Sequence, residues 1–268
     1  MPAPTSPPGV LAVAQTLRIT AGACTDVGAV RNENQDAFGV LPAVALASGD
    51  VPGRVVPQPA VFAVADGMGG HESGAEASDV AVDTLMAAFG PGFRTQTDRL
   101  ALMQRAIVEA NDAVWARATS GPYHRQMGTT CTLLLLADGQ AYLGHVGDSR
   151  AYRIRQQAVE QLTTDHTIGE AARQDPSLVE LARRREHHLT RAVGIREQVK
   201  VDTVFGGPLQ AGDRFVICSD GLSPVGMDEV TRVVHAYEPQ EAADWLVALA
   251  SKLGSRDNAT AIVIRIDP

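Results

Sequence analysis

Apolar and polar positions along the chain follow two periods, one of two residues and one near 3.6, and the period changes from segment to segment. Alternation from Arg18 to Thr25 predicts a strand, and the unbroken apolar run VFAVA (61 to 65) predicts a buried one. Between them, Leu41 to Pro59 carries Pro42, Pro52, Pro57 and Pro59 with Gly49 and Gly53 and reads as an exposed connecting loop. Ala77, Val80, Ala81, Leu85 and Ala88 recur at helical spacing and stop at Gly90-Pro91-Gly92, so an amphipathic helix is expected there. A second helix follows, capped by Thr97, striped by Leu100, Met103, Ile107, Ala110 and Val114, and closed by Ser120-Gly121-Pro122.

Four candidate strands come next: TCTLLLLA (130 to 137), AYLGHV (141 to 146), AYRIR (151 to 155) and AVEQL (158 to 162). Turn-length links such as Asp138-Gly139 join them, which predicts an antiparallel meander. Residues 166 to 188 are expected to be partly helical, and strands return at VKVDTVF (199 to 205) and RFVICS (214 to 219). Helices are expected near 227 to 237 and 239 to 253, the second with Pro239 in its first turn, a Trp245, Leu246, Leu249, Leu253 face, and Gly254 as terminator. ATAIVIRI (259 to 266) closes the chain as a strand. Strands and helices come in separate groups, which favours an α+β fold of antiparallel sheets with helices outside.

Residues 1–16 are rich in Pro and small residues and read as a loose leader, with one domain from 17 to 268. Hydrophobic residues make up 45% and charged residues 20%, enough apolar surface for a large core. Net charge is -8, so no field gathers nucleic acid or an anionic membrane, and no apolar run approaches the ~20 residues that span a bilayer. Cys24, Cys131 and Cys218 are three, widely spaced and set in or beside apolar stretches, as expected of reduced thiols in a cytoplasmic protein.

The candidate chemistry lies where apolar strands end. Asp66 follows VFAVA and precedes Gly67; Asp220 follows RFVICS and precedes Gly221. Asp148 sits in Gly147-Asp148-Ser149 after a strand, Asp257 just before the last strand, and Asp36 after the polar run Arg31-Asn32-Glu33-Asn34-Gln35. A single aspartate of this kind is ordinarily a turn or cap residue. Five at the ends of core strands would repel one another unless a hard cation neutralised them, and all-oxygen ligand sets suit Mg²⁺ or Mn²⁺.

The motifs occur in a fixed order: Asp26-Val-Gly-x-Val-Arg31-x-x-Asn34-Gln35-Asp36, Asp66-Gly-Met-Gly-Gly-His71, Met127-Gly-Thr-Thr130, Gly147-Asp-Ser-Arg150, Leu162-Thr-x-Asp165-His166, Thr190-Arg-Ala-x-Gly194, Ser219-Asp-Gly-Leu222 and Arg256-Asp-Asn-Ala-Thr260. In these residues the chain resembles the metal-dependent Ser/Thr protein phosphatases of the type 2C (PPM) family, in their compact bacterial form, over about residues 18 to 266. The resemblance implies a four-layer α-β-β-α sandwich of two packed antiparallel sheets flanked by helices. It places Asp66 and the Gly67 carbonyl between two catalytic ions, Mn²⁺ or Mg²⁺, with Asp36 on one side and Asp220 and Asp257 on the other. Asp148 with Asp220 matches a third-ion position, and Arg31 matches the phosphate-binding arginine.

The expected activity is hydrolysis of phosphoserine and phosphothreonine on proteins by a metal-bridged hydroxide, opposing a bacterial Ser/Thr kinase. Two cations roughly 3.5 to 4 Å apart can share a water and lower its pKa towards neutrality, while the planar fork of an arginine grips two phosphate oxygens. Met68 stands where some relatives carry a proton-donating histidine, and His71 is a candidate only if it turns inward, so the general acid stays unassigned. Gln35 replaces a glutamate of some relatives. The resemblance makes 163–196 a flap beside the site; its Arg183 to Arg185 run either reads acid groups or a second phosphate or forms a solvated face. His187 and His188 are expected to be exposed flap residues, and Trp115 and Trp245 packing or surface residues. The alternative function, a catalytically idle phosphoprotein-binding module on the same fold, is expected to have lost metal-site carboxylates that this chain keeps. A third reading, a two-metal nuclease, ranks last: the ions would suit it, but at a net charge of -8 no basic groove is expected to track a nucleic-acid backbone.

Overall fold

Alternate side chains of the same strands point into two different cores, which is why several strands read as unbroken apolar runs. The computed structural model describes residues 17–42, 54–69, 72–90, 93, 98–120 and 126–268; the expected leader, His71, Thr97, the Pro91-Gly92 and Gly121-Pro122 stops and most of the 41–59 loop lie outside them. In chain order the first half holds β1 (Arg18–Asp26), β2 (Asp36–Leu41), β3 (Arg54–Val56), β4 (Ala60–Gly69), α1 (Ser73–Ala88), α2 (Arg99–Thr119), β5 (Met127–Thr129), β6 (Cys131–Ala137) and β7 (Gln140–Val146). The second holds β8 (Arg150–Arg155), β9 (Ala158–Gln161), α3 (Ile168–Gln174), α4 (Val179–Arg185), β10 (Asp202–Pro208), β11 (Arg214–Cys218), α5 (Met227–Ala236), α6 (Pro239–Lys252) and β12 (Ala259–Asp267).

One sheet has the strand order β3-β1-β12-β11-β8-β9 and the other β10-β7-β6-β4-β2, with β5 paired to the end of β4. Every pairing is antiparallel. Phe62, Val64, Leu134 and Leu136 meet Ile19, Phe215, Ile262 and Ile264 between the sheets. Their strand neighbours Val61, Ala63, Leu133 and Leu135 face Leu85, Met103 and Ile107 of α1 and α2. On the opposite flank Val216 and Val263 pack under Val233 of α5 and Leu246 of α6. The four-layer α-β-β-α sandwich expected from the motifs is therefore the observed fold.

The predicted meander is not. β6 and β7 form a hairpin in one sheet and β8 and β9 a hairpin in the other, so the chain changes sheets at Gly147-Asp148-Ser149. Turn-length links fix adjacency in sequence, but which sheet accepts the next strand depends on the opposite core. Gly147 makes the crossing at φ +112, with its Cα hydrogen facing Thr130 so closely that a Cβ would lie 2.6 Å from the threonine's Cβ.

Smaller differences have local causes. β2 was not predicted, because its six residues DAFGVL lack alternation; pairing with β4 makes it a strand. β3 lies inside the segment read as loop and pairs with β1. β10 begins at Asp202, three residues later than the apolar pattern suggests, and bulges between Phe205 and Gly207. The α2 cap is Asp98, whose carboxylate accepts from the Ala101 N–H at 3.0 Å. α6 buries Ala242, Ala243, Leu246, Val247 and Ala250 and leaves Trp245 and Leu253 exposed, so small residues let the helix approach the sheet closely.

Candidate active site

Asp36 opens β2 and Asp66 lies opposite it near the end of β4, so one register pair brings two carboxylates together across adjacent strands. Asp36 Oδ2 accepts 2.7 Å hydrogen bonds from Ser219 Oγ and from Thr260 Oγ1, which tie it to the second sheet. The Asp66 N–H donates to Thr130 Oγ1 at 2.9 Å, and its carbonyl accepts from the Thr130 N–H at 2.9 Å and Thr129 Oγ1 at 3.0 Å. Asp220 follows β11 in a single 3-10 turn. The glycines after Asp66 and Asp220 are required by close backbone approach, not by a left-handed turn: a Cβ on Gly67 would lie 2.1 Å from the Gly74 carbonyl oxygen, and one on Gly221 1.9 Å from that of Asn258.

Asp148 enters on the sheet-crossing loop, which is held from both sides. The His166 N–H donates to the Gly147 carbonyl at 2.7 Å, the Gly147 N–H donates to His166 Nδ1 at 3.0 Å, and Thr130 Oγ1 and Ser149 Oγ are hydrogen-bonded at 2.7 Å. Because Nδ1 accepts, the His166 proton sits on Nε2 and reaches Asp202 Oδ2 at 3.0 Å; Arg191 also donates to that carboxylate, to Oδ1 at 2.6 Å and to Oδ2 at 3.1 Å. Burial lowers the His166 pKa, in keeping with this neutral form.

At the rim, Arg31 Nη2 donates to Asp257 Oδ2 at 2.6 Å. The residue expected to bind phosphate is thus paired with one expected to hold a cation. Their neighbour Asn258 was missed as a positioning residue: its Nδ2 donates to the Val27 and Glu33 carbonyls at 2.8 and 2.9 Å, and its Oδ1 accepts from the Gln35 N–H at 2.9 Å. It lies inside a recognised motif, but only the fold brings the 27–35 loop against it.

Arg31, Asp66, Gly67, Asp148, Asp220 and Asp257 line one cavity of about 490 Å³, with Asp36 hydrogen-bonded just beneath. Burial, opposed by the Ser219 and Thr260 hydroxyls and helped by Asp220 and Asp257, pushes the Asp36 carboxyl up to about 6. Burial and then Asp220 push Asp148 up to about 7. Asp66 is raised well above its usual range by burial and the surrounding carboxylates, and Asp220 is raised by burial and Asp257. Asp36 Oδ1 and Asp220 Oδ1 are buried without a hydrogen-bond partner. Mutually repelling acids with buried, partnerless oxygens fit a hard divalent cation, which needs oxygen donors and negative charge. Among the described residues no three His, Cys, Asp or Glu side chains already close on one ion-sized point, and Asp257 is turned to Arg31.

A family model described as Protein phosphatase 2C matches residues 31–262. The chain belongs to the protein phosphatase 2C family. It is 32% identical to "Serine/threonine phosphatase stp" of Listeria innocua over 90% of this chain and 93% of that one. Among solved structures, the Mycobacterium tuberculosis serine/threonine phosphatase PstP/Ppp superposes with a TM-score of 0.78 at 30% identity, covering 94% of this chain and 100% of the other. A second structure, the PstP catalytic domain "in complex with 2 Manganese ions", gives 0.76 at 30% identity with the same coverage.

Within this type 2C phosphatase the residues expected to form a flap divide. His187 and His188 are exposed, as expected, yet they stand in the wall of the cavity lined by the aspartates. Arg183 pairs with Glu180 at 3.0 Å on the exposed face of α4, with Arg184 at 3.8 Å, the solvated-face alternative for that run. Met68 lines the cavity, and its thioether supplies no proton. Trp245 is half exposed and stacks on Tyr237.

Proposed function

We infer that the protein is a metal-dependent phosphatase that removes phosphate from serine and threonine of phosphorylated proteins. The observation that carries this reading is the convergence of Asp66, Asp148, Asp220 and Asp257 with Arg31 at a single cavity, with Asp36 paired to Asp66 behind it and two of the acids holding buried oxygens without partners. Asp36, Asp66, the Gly67 carbonyl, Asp220 and Asp257 would hold two ions, Mn²⁺ or Mg²⁺, and Asp148 with Asp220 a third, more weakly bound one. When bound, such a pair supplies a nucleophilic water near neutral pH and Lewis-acid stabilisation of charge on the phosphoryl oxygens.

The chain's own groups do the rest. Ser219 and Thr260 fix the Asp36 carboxylate through Oδ2 and leave Oδ1 buried without a partner. Arg31 is half exposed at the mouth, where its fork can exchange Asp257 for two phosphate oxygens and orient phosphorus towards the acids. The hydrogen bonds between Asp66 and Thr130, one main-chain and one to the threonine hydroxyl, hold the end of β4 that carries the acid in place. Retention of all five acids argues against an idle phosphoprotein-binding module. A partner kinase supplies the phosphorylated substrate. The free thiols Cys24, Cys131 and Cys218 fit a reducing, cytoplasmic setting. Among the described residues no helix is long and apolar enough to cross a membrane.

The test is phosphate release from a phosphothreonine peptide with Mn²⁺, with chelator, and with Asp220→Ala. Turnover is expected only for the wild-type protein with metal. Chelator-resistant turnover, or equal turnover by the variant, would overturn the metal mechanism, and no turnover on any phosphopeptide would favour the binding module.

A further inference from the structure

A second cavity of about 370 Å³ opens beside the catalytic one, and Met68 and Leu189 line both. Its chemistry is opposite. The catalytic cavity is walled by four aspartates, whereas the neighbouring groove is lined by Arg191, Arg196 and Lys200 with the apolar Ile195, and by no carboxylate. Arg191 is already neutralised by Asp202. Arg196 and Lys200 are exposed and make no ion pair among the described residues, so they give the groove net positive charge on a chain whose formal charge is -8.

The groove is preformed. Thr129 and Val193 exchange backbone hydrogen bonds at 3.0 and 2.9 Å, while Thr129 is also the register partner of Gly67 in β4. The wall of the groove is therefore hydrogen-bonded, through one strand, to the residue that follows Asp66. Asn111, buried in α2, donates to the Arg196 and Glu197 carbonyls at 3.2 and 3.1 Å and accepts from the Gly194 N–H at 2.9 Å, which fixes the loop presenting Arg196. Ile195, 43% exposed, lies over Gly128, whose missing side chain leaves it room.

We propose that this groove docks an anionic side chain, a carboxylate or a second phosphate, carried by the substrate a few residues from the phosphorylated serine or threonine. It rests on the phosphatase reading and assigns that site a substrate preference. Continuity with the catalytic cavity supplies the path for one extended peptide, at about 3.3 Å per residue. Arg196 and Lys200 supply the charge complement, and Ile195 with Met68 an apolar floor for the side-chain stem. Charge pairing outside the reacting centre is felt equally in the ground and transition states, so the preference belongs in KM.

The experiment compares a phosphothreonine peptide set in which the flanking positions, scanned over about four residues on either side, carry Glu, a non-hydrolysable phosphonate analogue of phosphothreonine, Ala or Lys. Para-nitrophenyl phosphate, too small to reach the groove, is the reference substrate. At one or more positions the Glu or phosphonate peptide is expected to exceed the Lys peptide in kcat/KM by roughly three- to tenfold, mainly through KM, with the gap narrowing as salt is raised. A gain with the phosphonate alone identifies a phosphate group as the ligand; a gain with both identifies negative charge. The double variant Arg196→Glu/Lys200→Glu is expected to reverse the preference and to hydrolyse the reference substrate at the wild-type rate. Should it lose that rate as well, Arg196→Gln and Lys200→Gln singly replace it. Equal kcat/KM for acidic and Lys peptides, or an unchanged preference in the variants, overturns the groove assignment while leaving the phosphatase reading intact. Failure of every peptide and of the reference substrate overturns the phosphatase reading and the groove with it.

Discussion

Arg31 and Asp257 face each other at 2.6 Å across the mouth of the site, so the phosphate-binding role of the first depends on its planar fork being free to change partner. Arg31→Lys keeps the charge and loses the fork. It is expected to lower kcat/KM for an aryl phosphate by on the order of tenfold or more; a lysine variant with wild-type kinetics would remove Arg31 from phosphate binding. Asp66 and Asp148 are expected to separate just as clearly. Asp66→Ala should abolish turnover and the tight pair of Mn²⁺ equivalents in a calorimetric titration. Asp148→Ala should slow turnover and keep that pair, because Asp148 approaches from the sheet-crossing loop, while Asp66 stands on a central strand opposite Asp36. All five acids were legible as residues. Their gathering around one cavity, with Asp36 behind Asp66, follows from which strands are neighbours, and Asn258 went unrecognised because its three tethers reach positions more than 220 residues away in sequence.

At the scale of elements, long apolar runs were legible because a stretch of strand buried on both faces must be apolar, as residues 60–65 of β4 and 133–137 of β6 are. Short or half-polar elements were not: β2 and β3 gain their strand identity from the partners that complete their hydrogen bonds. The crossing at Gly147 is the element on which the site depends most, since the same turn carries Asp148. Gly147→Ala adds a Cβ 2.6 Å from that of Thr130, at a φ that disfavours any side chain. The variant is expected to lose about 1–3 kcal/mol of stability in urea unfolding and to lower the affinity for the last cation equivalent. Wild-type stability together with wild-type metal binding would mean that the crossing tolerates a different path.

For the whole molecule, the gathered acids make stability depend on pH and on cations together. In the cation-free protein, Asp36 holds its proton up to about pH 6 and Asp148 up to about pH 7, while the unfolded chain releases both near the ordinary value of 3.8. The folded state therefore binds more protons in that window, and stability falls as pH rises from about 4 to about 7. Mn²⁺ should reverse the trend, because it competes with those protons: the rise in Tm on adding metal is expected to be larger at pH 8 than at pH 6. A metal-induced shift independent of pH, measured by thermal unfolding in matched buffers, would disconnect the acids from the cation. By itself the sequence determined the residue types, the buried strands, the main helices and the ordered motifs that carry the family likeness, because each depends on spacing along a single segment. Only the tertiary structure decided that β6–β7 and β8–β9 belong to different sheets, that Asp36 stands opposite Asp66, and that an acidic cavity adjoins a basic groove. Those juxtapositions join segments far apart in the chain, and their energy comes from cores that exist only once both sheets have closed.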